Sequence, residues 1–115
     1  MSTPENHHKI NYIEFTASDI PKTKEFYTKV FGWSFQDWGP DYISFTGLGI
    51  DGGFIKGEPK QGGPLVVLYS SDLAATEKAI ADAGGTIVVQ PFEFPGGRRF
   101  HFADTTGNLL AVWSK

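Results

Sequence analysis

The chain has 115 residues and a mass of 12.6 kDa, with 14 Gly, 7 Pro, no Cys and a formal net charge of −3 at pH 7. This length suits one domain, and the lack of cysteine excludes disulfides, thiolate metal sites and a cysteine nucleophile. The acidic net charge disfavours nucleic-acid binding. The sequence contains no run of 18 apolar residues, so we expect no membrane-spanning segment. The polar stretch from Met1 to Lys9 has no apolar signal region, so we expect a cytoplasmic protein.

The first half of the chain has the pattern of a strand, a helix and three more strands. Apolar and polar residues alternate over 9–17, which is typical of a half-buried strand. Asp19 and Pro21 predict a helix start, and Gly32 predicts its end. The apolar stripe of this helix comprises Phe26, Tyr27, Val30 and Phe31. Three further strands are predicted over 33–35, 42–46 and 52–56, with a turn over 36–41.

The second half repeats this order after a polar, Gly-rich stretch. A shift of 53 residues places Ser18-Asp19-Ile20 on Ser71-Asp72-Leu73, at the start of a second helix. The predicted strands span 65–70, 86–89, 99–104 and 109–114, with a turn-rich loop over 91–97.

Two such halves predict an α+β fold. It consists of two tandem βαβββ modules that form a curved, partly closed mixed sheet with the helices on the convex face. We expect one compact domain, with a flexible lead-in over 1–8, a first module over 9–56, a linker over 57–63 and a second module over 64–115.

Two stretches resemble the vicinal-oxygen-chelate superfamily, which includes glyoxalase I, extradiol dioxygenases and bleomycin-resistance proteins. The first runs from Phe15 through Ser18-Asp19-Ile20 and Phe26-Tyr27 to Gly32-Trp33. The second is Phe102-Ala103-Asp104-Thr105-Thr106-Gly107-Asn108 with the following Ala111-Val112-Trp113, in which Thr105 replaces the usual proline. The resemblance spans about residues 9–114, and it is more specific for the fold than for an activity, because this fold hosts several reactions and pure binders.

The resemblance also implies where a metal would bind. Metal-using members hold a divalent ion with four side chains, often two His and two Glu. The matching positions in this chain are Tyr12, Phe54, Leu65 and Ala111. Three apolar side chains and one phenol lack the oxygen and nitrogen ligands that such an ion requires. We therefore expect neither a metal nor another cofactor, and a metal-dependent lactoylglutathione-lyase-like enzyme is disfavoured.

Strand alternation predicts which other side chains share that face of the sheet. They are Glu14, Ser44, Val67, Tyr69, Arg99, His101 and Trp113. Glu14 is expected to be a buried carboxylate. It is either a general base or anchor for a cationic group, or a structural group bonded to Arg99, His101 or a backbone amide. His101 is a candidate base or hydrogen-bonding group, or simply a packed sheet residue.

Three functions are consistent with these residues. The first is a metal-free protein that binds a small planar or aromatic molecule between aromatic walls. The second is a metal-independent lyase or isomerase that uses Glu14 and His101 for proton transfer. The third is a homodimer with an interaction role, in which Phe54 and Trp113 fill the cavity. The expected partners are a small molecule and a second copy of the chain, with no nucleic acid and no membrane.

Overall fold

The computed structural model describes residues 7–60 and 62–115, so most of the predicted lead-in lies outside the described residues. The first module contains β1 (Tyr12–Ala17), α1 (Ile20–Phe31), β2 (Gln36–Asp37), β3 (Tyr42–Phe45) and β4 (Asp51–Lys56). The second contains β5 (Val66–Tyr69), α2 (Leu73–Asp82), β6 (Thr86–Phe94), β7 (Gly97–Ala103) and β8 (Leu109–Ser114). Neither helix of this described part is long and apolar enough to cross a membrane. The element order is βαβββ twice, as the sequence predicts.

Each module forms a four-stranded mixed sheet. The strand orders are β1-β4-β3-β2 and β5-β8-β7-β6, so the two sheets have the same topology. The first strand of each module pairs in parallel with the last, and the remaining pairs are antiparallel. Two parallel strands need a crossover connection, which the helix begins in each module. The predicted α+β fold of two modules is confirmed.

Local sequence signals determine where the helices begin. The Asp19 carboxylate accepts a hydrogen bond of 2.9 Å from the Lys22 amide, and Asp72 accepts one of 3.1 Å from the Ala75 amide. These caps satisfy amides that have no partner within the first helical turn. Gly32 ends α1 with a φ of 72°, which a residue without a side chain adopts at little cost.

The core lies between the two helices and one face of each sheet. Its fully buried side chains include Tyr27, Phe54, Ile80, Phe100 and Phe102. Many of the contacts are between aromatic rings, such as Tyr27 with Trp33 at 4.7 Å between ring centroids. Both helices of residues 7–60 and 62–115 cover this face, and we call the opposite side of each sheet the open face.

The turn between β7 and β8 connects the two modules. The Tyr27 hydroxyl of α1 donates a hydrogen bond of 2.8 Å to Asp104 Oδ2, and Asn108 Nδ2 donates one of 2.8 Å to the Thr16 carbonyl in β1. Asp104 Oδ1 also accepts hydrogen bonds from the Thr106 and Asn108 amides. The second stretch of the family resemblance therefore has a structural role, since it ties β7 and β8 to the first module.

Two sequence-based assignments are wrong. Residues 33–35 form no strand; Trp33 is buried against Tyr27, and the short β2 follows at 36–37. The predicted loop over 91–97 is instead the end of β6, a turn and the start of β7. Irregular pairing on either side of Val89 accommodates Pro91 in β6, which is an edge strand and therefore tolerates a residue without an amide proton.

Candidate functional site

The open face of the second sheet carries two rows of side chains that run across its strands. Tyr69, Trp113, Arg99 and Phe92 are paired in register across β5, β8, β7 and β6. The neighbouring row consists of Val67, Ala111, His101 and Val89. Residues between these rows along β7 and β8, such as Phe100 and Val112, are fully buried on the helix side. The predicted placement of Val67, Tyr69, Arg99, His101, Ala111 and Trp113 on one face agrees with this register.

The first of these rows forms a continuous aromatic surface, which we call the aromatic row (Tyr69, Trp113, Arg99 and Phe92). The Tyr69 and Trp113 ring centroids are 5.0 Å apart, and Tyr69 is 55% exposed. The Arg99 guanidinium carbon lies 5.6 Å from the Phe92 ring centroid and 5.9 Å from that of Phe94. Exposed rings around a cation form a surface on which a flat molecule can stack.

The open face of the first sheet is more polar. Glu14, Gly53 and Ser44 are paired in register across β1, β4 and β3. The Tyr42 hydroxyl extends over Gly53, since a Cβ atom on this glycine would lie 2.5 Å from that oxygen. The Tyr12 and Tyr42 hydroxyls are hydrogen-bonded to each other.

Sequence reasoning missed Tyr42 and Trp38 as members of this face. Trp38 is 63% exposed, and its indole nitrogen donates a hydrogen bond of 2.9 Å to the Ser44 hydroxyl. The signal for Tyr42 was present, because glycine inside a strand often marks a close approach by another group. Nothing in the turn around Trp38 indicated that its ring would be held on the sheet.

The predicted position of Phe54 on the open face is wrong. Its ring is fully buried on the helix side, with its centroid 4.9 Å from that of Phe15 and 5.2 Å from that of Tyr27. A shift of about 57 between the two halves of the sequence places Phe54 on Ala111, whereas the strand register places Gly53 there, a shift of 58. A slip of one residue moves a strand side chain to the opposite face.

The residues at the family's metal positions do not fit a divalent ion. With Gly53 in place of Phe54, the four positions hold Tyr12, Gly53, Leu65 and Ala111. Their single polar side chain is the Tyr12 phenol, whose hydroxyl is already bonded to Tyr42. Within residues 7–60 and 62–115, no group of three or more His, Asp or Glu side chains is placed to hold a metal.

A cavity of about 390 Å³ lies between β1 and the second module. Both Glu14 and His101 line it, so the structure brings the two candidate proton-transfer residues to one cavity. The other lining residues are Ile13, Phe15, Thr16, Lys60, Gly62, Gly63, Pro64, Leu65, Val66, Asn108 and Leu109. Glu14 is exposed rather than buried, and it forms no ion pair with Arg99 or His101. The expectation of a buried carboxylate is therefore wrong, although Glu14 does lie on the open face.

The electrostatics of the site favour neutral forms of His101 and Tyr42. Burial and the nearby Arg99 charge lower the pKa of His101, whose Nε2 atom is buried without a hydrogen-bond partner among the described residues. Burial raises the pKa of Tyr42, as do its hydrogen bond with Tyr12 and the neighbouring Glu14 carboxylate. At neutral pH the site thus contains a neutral imidazole and a protonated phenol beside the Glu14 carboxylate.

The lowered pKa of His101 predicts a pH-dependent stability. Because the unfolded chain binds a proton near pH 6.5 more readily than folded His101 does, the free energy of unfolding falls as the pH decreases from 7.5 to 5.5. Urea titrations across this range should show a smaller decrease for His101→Gln than for wild type. The exposed His7 provides the control, and His7→Gln should follow wild type. Parallel curves for wild type and His101→Gln would contradict the assignment.

Two βαβββ modules, each with a helix-covered face and an open face, define the vicinal-oxygen-chelate type of fold. A family model described as Glyoxalase/Bleomycin resistance protein/Dioxygenase superfamily matches residues 9–112. The chain belongs to this superfamily.

Relatives of this chain include proteins from two Streptomyces and from Didymella fabae. The "Anthracycline biosynthesis protein DauV" of Streptomyces sp. (strain C5) is 29% identical over 90% of this chain and 46% of the relative. The "Anthracycline biosynthesis protein DnrV" of Streptomyces peucetius matches with the same identity and coverage. A "Glyoxylase-like domain-containing protein" from Didymella fabae is 31% identical over 95% of each chain. The chain spans about half the length of the two Streptomyces relatives.

Solved structures support the same fold. A "glyoxalase-related enzyme from Fulvimarina pelagi" matches with a TM-score of 0.80 at 19% identity, over 94% of this chain and 88% of that one. A glyoxalase/bleomycin resistance protein/dioxygenase family enzyme from Burkholderia phytofirmans PsJN matches with a TM-score of 0.76 at 18% identity, over 90% and 96% of the two chains.

Proposed function

We propose that this protein binds a small planar aromatic molecule on its open face without a metal. The observation that carries this proposal is the aromatic row beside the cavity. Small-molecule sites combine apolar and aromatic walls with a few polar groups, and a volume of about 390 Å³ lies within their usual range. Glu14 and His101 line the cavity and offer polar groups. Tyr69 and Trp113 do not line it, but they offer an aromatic surface in the row next to that of His101.

The relatives suggest the kind of molecule. Two of them are named for anthracycline biosynthesis, and anthracyclines have planar fused rings. Such rings could stack on the aromatic row, whose Tyr69 is more than half exposed. Many anthracyclines also carry an amino sugar, whose amine is cationic at neutral pH. We propose that Glu14, an exposed carboxylate without an ion-pair partner among the described residues, binds such a cationic group.

The role of Glu14 is tested with an anthracycline that carries an amino sugar. Binding is followed by quenching of tryptophan fluorescence, because Trp38 and Trp113 lie on the open faces. Glu14→Gln should weaken binding by about 1.5–3 kcal/mol, or ~10- to 150-fold, through loss of a charge-assisted hydrogen bond. Thermal stability should hardly change, since Glu14 is exposed.

The matched control for Glu14 is Glu25→Gln, because Glu25 is an exposed carboxylate on α1. This variant should bind like wild type. Equal affinities for wild type and Glu14→Gln would refute the role of Glu14. Failure of wild type to bind the compound would count against the proposed function itself.

A second function, proton transfer without a metal, is favoured by one observation: Glu14 and His101 line the same cavity. A carboxylate and a neutral imidazole can move a proton between two atoms of a bound molecule, as a lyase or isomerase requires. The test is incubation of the anthracycline with the protein in deuterated water, followed by mass spectrometry. An enzyme would be supported if wild type causes deuterium uptake at a carbon of the compound and neither Glu14→Gln nor His101→Gln does so. No uptake with wild type would favour a binding protein.

We also propose that the chain forms a homodimer. Each sheet has edge strands whose outer side pairs with no other strand of the described residues. The nine-residue edge strand β6 carries Val88 with 52% exposure. Exposed apolar edges of this kind are commonly covered by another chain. Light scattering should give about twice the chain mass of 12.6 kDa. A mass near 12.6 kDa at micromolar concentration would contradict the dimer.

A further inference from the structure

The geometry points to Arg99 and His101 as a two-point site for an ionised oxygen attached to a planar aromatic ring system, such as a carboxylate or a phenolate. This assignment rests on the proposed binding of an aromatic molecule to the same face. The second sheet is thereby expected to recognise a negatively charged group, through two residues on the same face of β7.

Arg99 carries a cation without a partner. Its side chain is only partly exposed, and its Nε atom is buried with no hydrogen bond among the described residues. Neither ion pair in the described chain includes Arg99. The Phe92 and Phe94 rings lie within 6 Å of its guanidinium carbon, so aromatic contacts hold this planar group. A buried donor without a partner is costly, and an anionic oxygen would satisfy it.

His101 lies two residues from Arg99 on the same face of β7, where successive side chains of one face are about 6.6 Å apart. Its Nε2 atom is also buried without a hydrogen-bond partner among the described residues. Both side chains lie beside Phe92, since the His101 and Phe92 ring centroids are 6.0 Å apart. Two unsatisfied nitrogen groups next to one aromatic ring can hydrogen-bond an oxygen substituent of a ligand stacked on that ring.

The surrounding residues indicate why the ligand should be aromatic and flat. The row through Arg99 supplies Tyr69, Trp113 and Phe92, and the row through His101 has the small Ala111 at its centre. Ala111 is fully buried, so the small side chain between His101 and Val67 adds no polar group to this row. A simple inorganic anion would gain nothing from these rings, whereas an aromatic acid would use both the rings and the cation.

The test compares anthracene-2-carboxylate with its neutral analogue anthracene-2-carboxamide, using fluorescence titrations of the full chain. Wild type should bind the carboxylate about 10-fold or more tightly than the carboxamide. Arg99→Gln should reduce affinity for the carboxylate by roughly 10- to 100-fold and remove the preference. His101→Phe should reduce it by about 10-fold. Arg99→Lys keeps the positive charge but lacks the planar guanidinium, so it should give an intermediate loss of affinity for the carboxylate.

The matched control is Arg98→Gln. Arg98 neighbours Arg99 in β7 but is exposed and points to the opposite side of the strand, so this variant should bind like wild type. Equal losses in Arg98→Gln and Arg99→Gln would show a general charge effect and overturn the assignment. So would equal affinity of wild type for the two probes. If wild type binds the anthracycline but shows no carboxylate preference, the Arg99–His101 site fails while the proposed function stands. If it binds none of the three compounds, both fail.

Discussion

Phe54→Ala should lower the free energy of unfolding by about 3–5 kcal/mol, because it deletes a fully buried aromatic ring and leaves a cavity. The Phe54 ring packs against those of Phe15, Tyr27 and Phe45. These contacts join β1, α1 and β3, so the loss affects the centre of the first module. Urea denaturation followed by circular dichroism measures the change.

Tyr69→Ala is the matched control for Phe54→Ala, because Tyr69 is an aromatic strand residue on the open face and 55% exposed. Its loss should cost less than about 1 kcal/mol of stability. In the binding titrations, Tyr69→Ala should weaken stacking of the aromatic probe. A small stability loss for Phe54→Ala would mean that its ring does not lie in the core.

Asp104→Ala should destabilise the protein by about 3–5 kcal/mol, because it removes the buried acceptor of several hydrogen bonds. Asp104 Oδ2 accepts from the Tyr27 hydroxyl, and Oδ1 accepts from the Thr106 and Asn108 amides. Burial and the Asp104 charge hold the pKa of Tyr27 well above its usual value, so its hydroxyl remains a donor that needs an acceptor. Without Asp104 this hydroxyl is left unpaired in the core.

The Tyr27→Phe variant separates the cost of the lost bond from the cost of the orphaned group. Alone, this variant should lower the free energy of unfolding by about 1 kcal/mol, since Asp104 keeps its other hydrogen-bond donors. In the Asp104→Ala background it should be neutral or stabilising, because it removes the unpaired hydroxyl. Additive losses in the double variant, measured by urea denaturation, would show that Tyr27 and Asp104 do not act as one network.

Much of the candidate site could be predicted from strand alternation. Tyr69, Arg99, His101 and Trp113 share one face because side chains two residues apart in a strand point the same way. The failures occurred where a prediction depended on register between strands. Phe54 was misplaced because the segment between β3 and β4 is one residue shorter than the matching segment between β7 and β8. Only the hydrogen-bonded pairing reveals that Gly53, and not Phe54, is the counterpart of Ala111.

The sequence by itself determined the order of elements, the helix starts and the two-module fold. These depend on local physics: the period of apolar residues, and the capping of amides by Asp19 and Asp72. Only the tertiary structure decided that Trp33 enters the core instead of a strand, and that Tyr42 extends over Gly53. It alone showed that Glu14 is exposed and lines the same cavity as His101. Such features depend on contacts between residues far apart in the chain, for which the periodicity of a single segment contains no information.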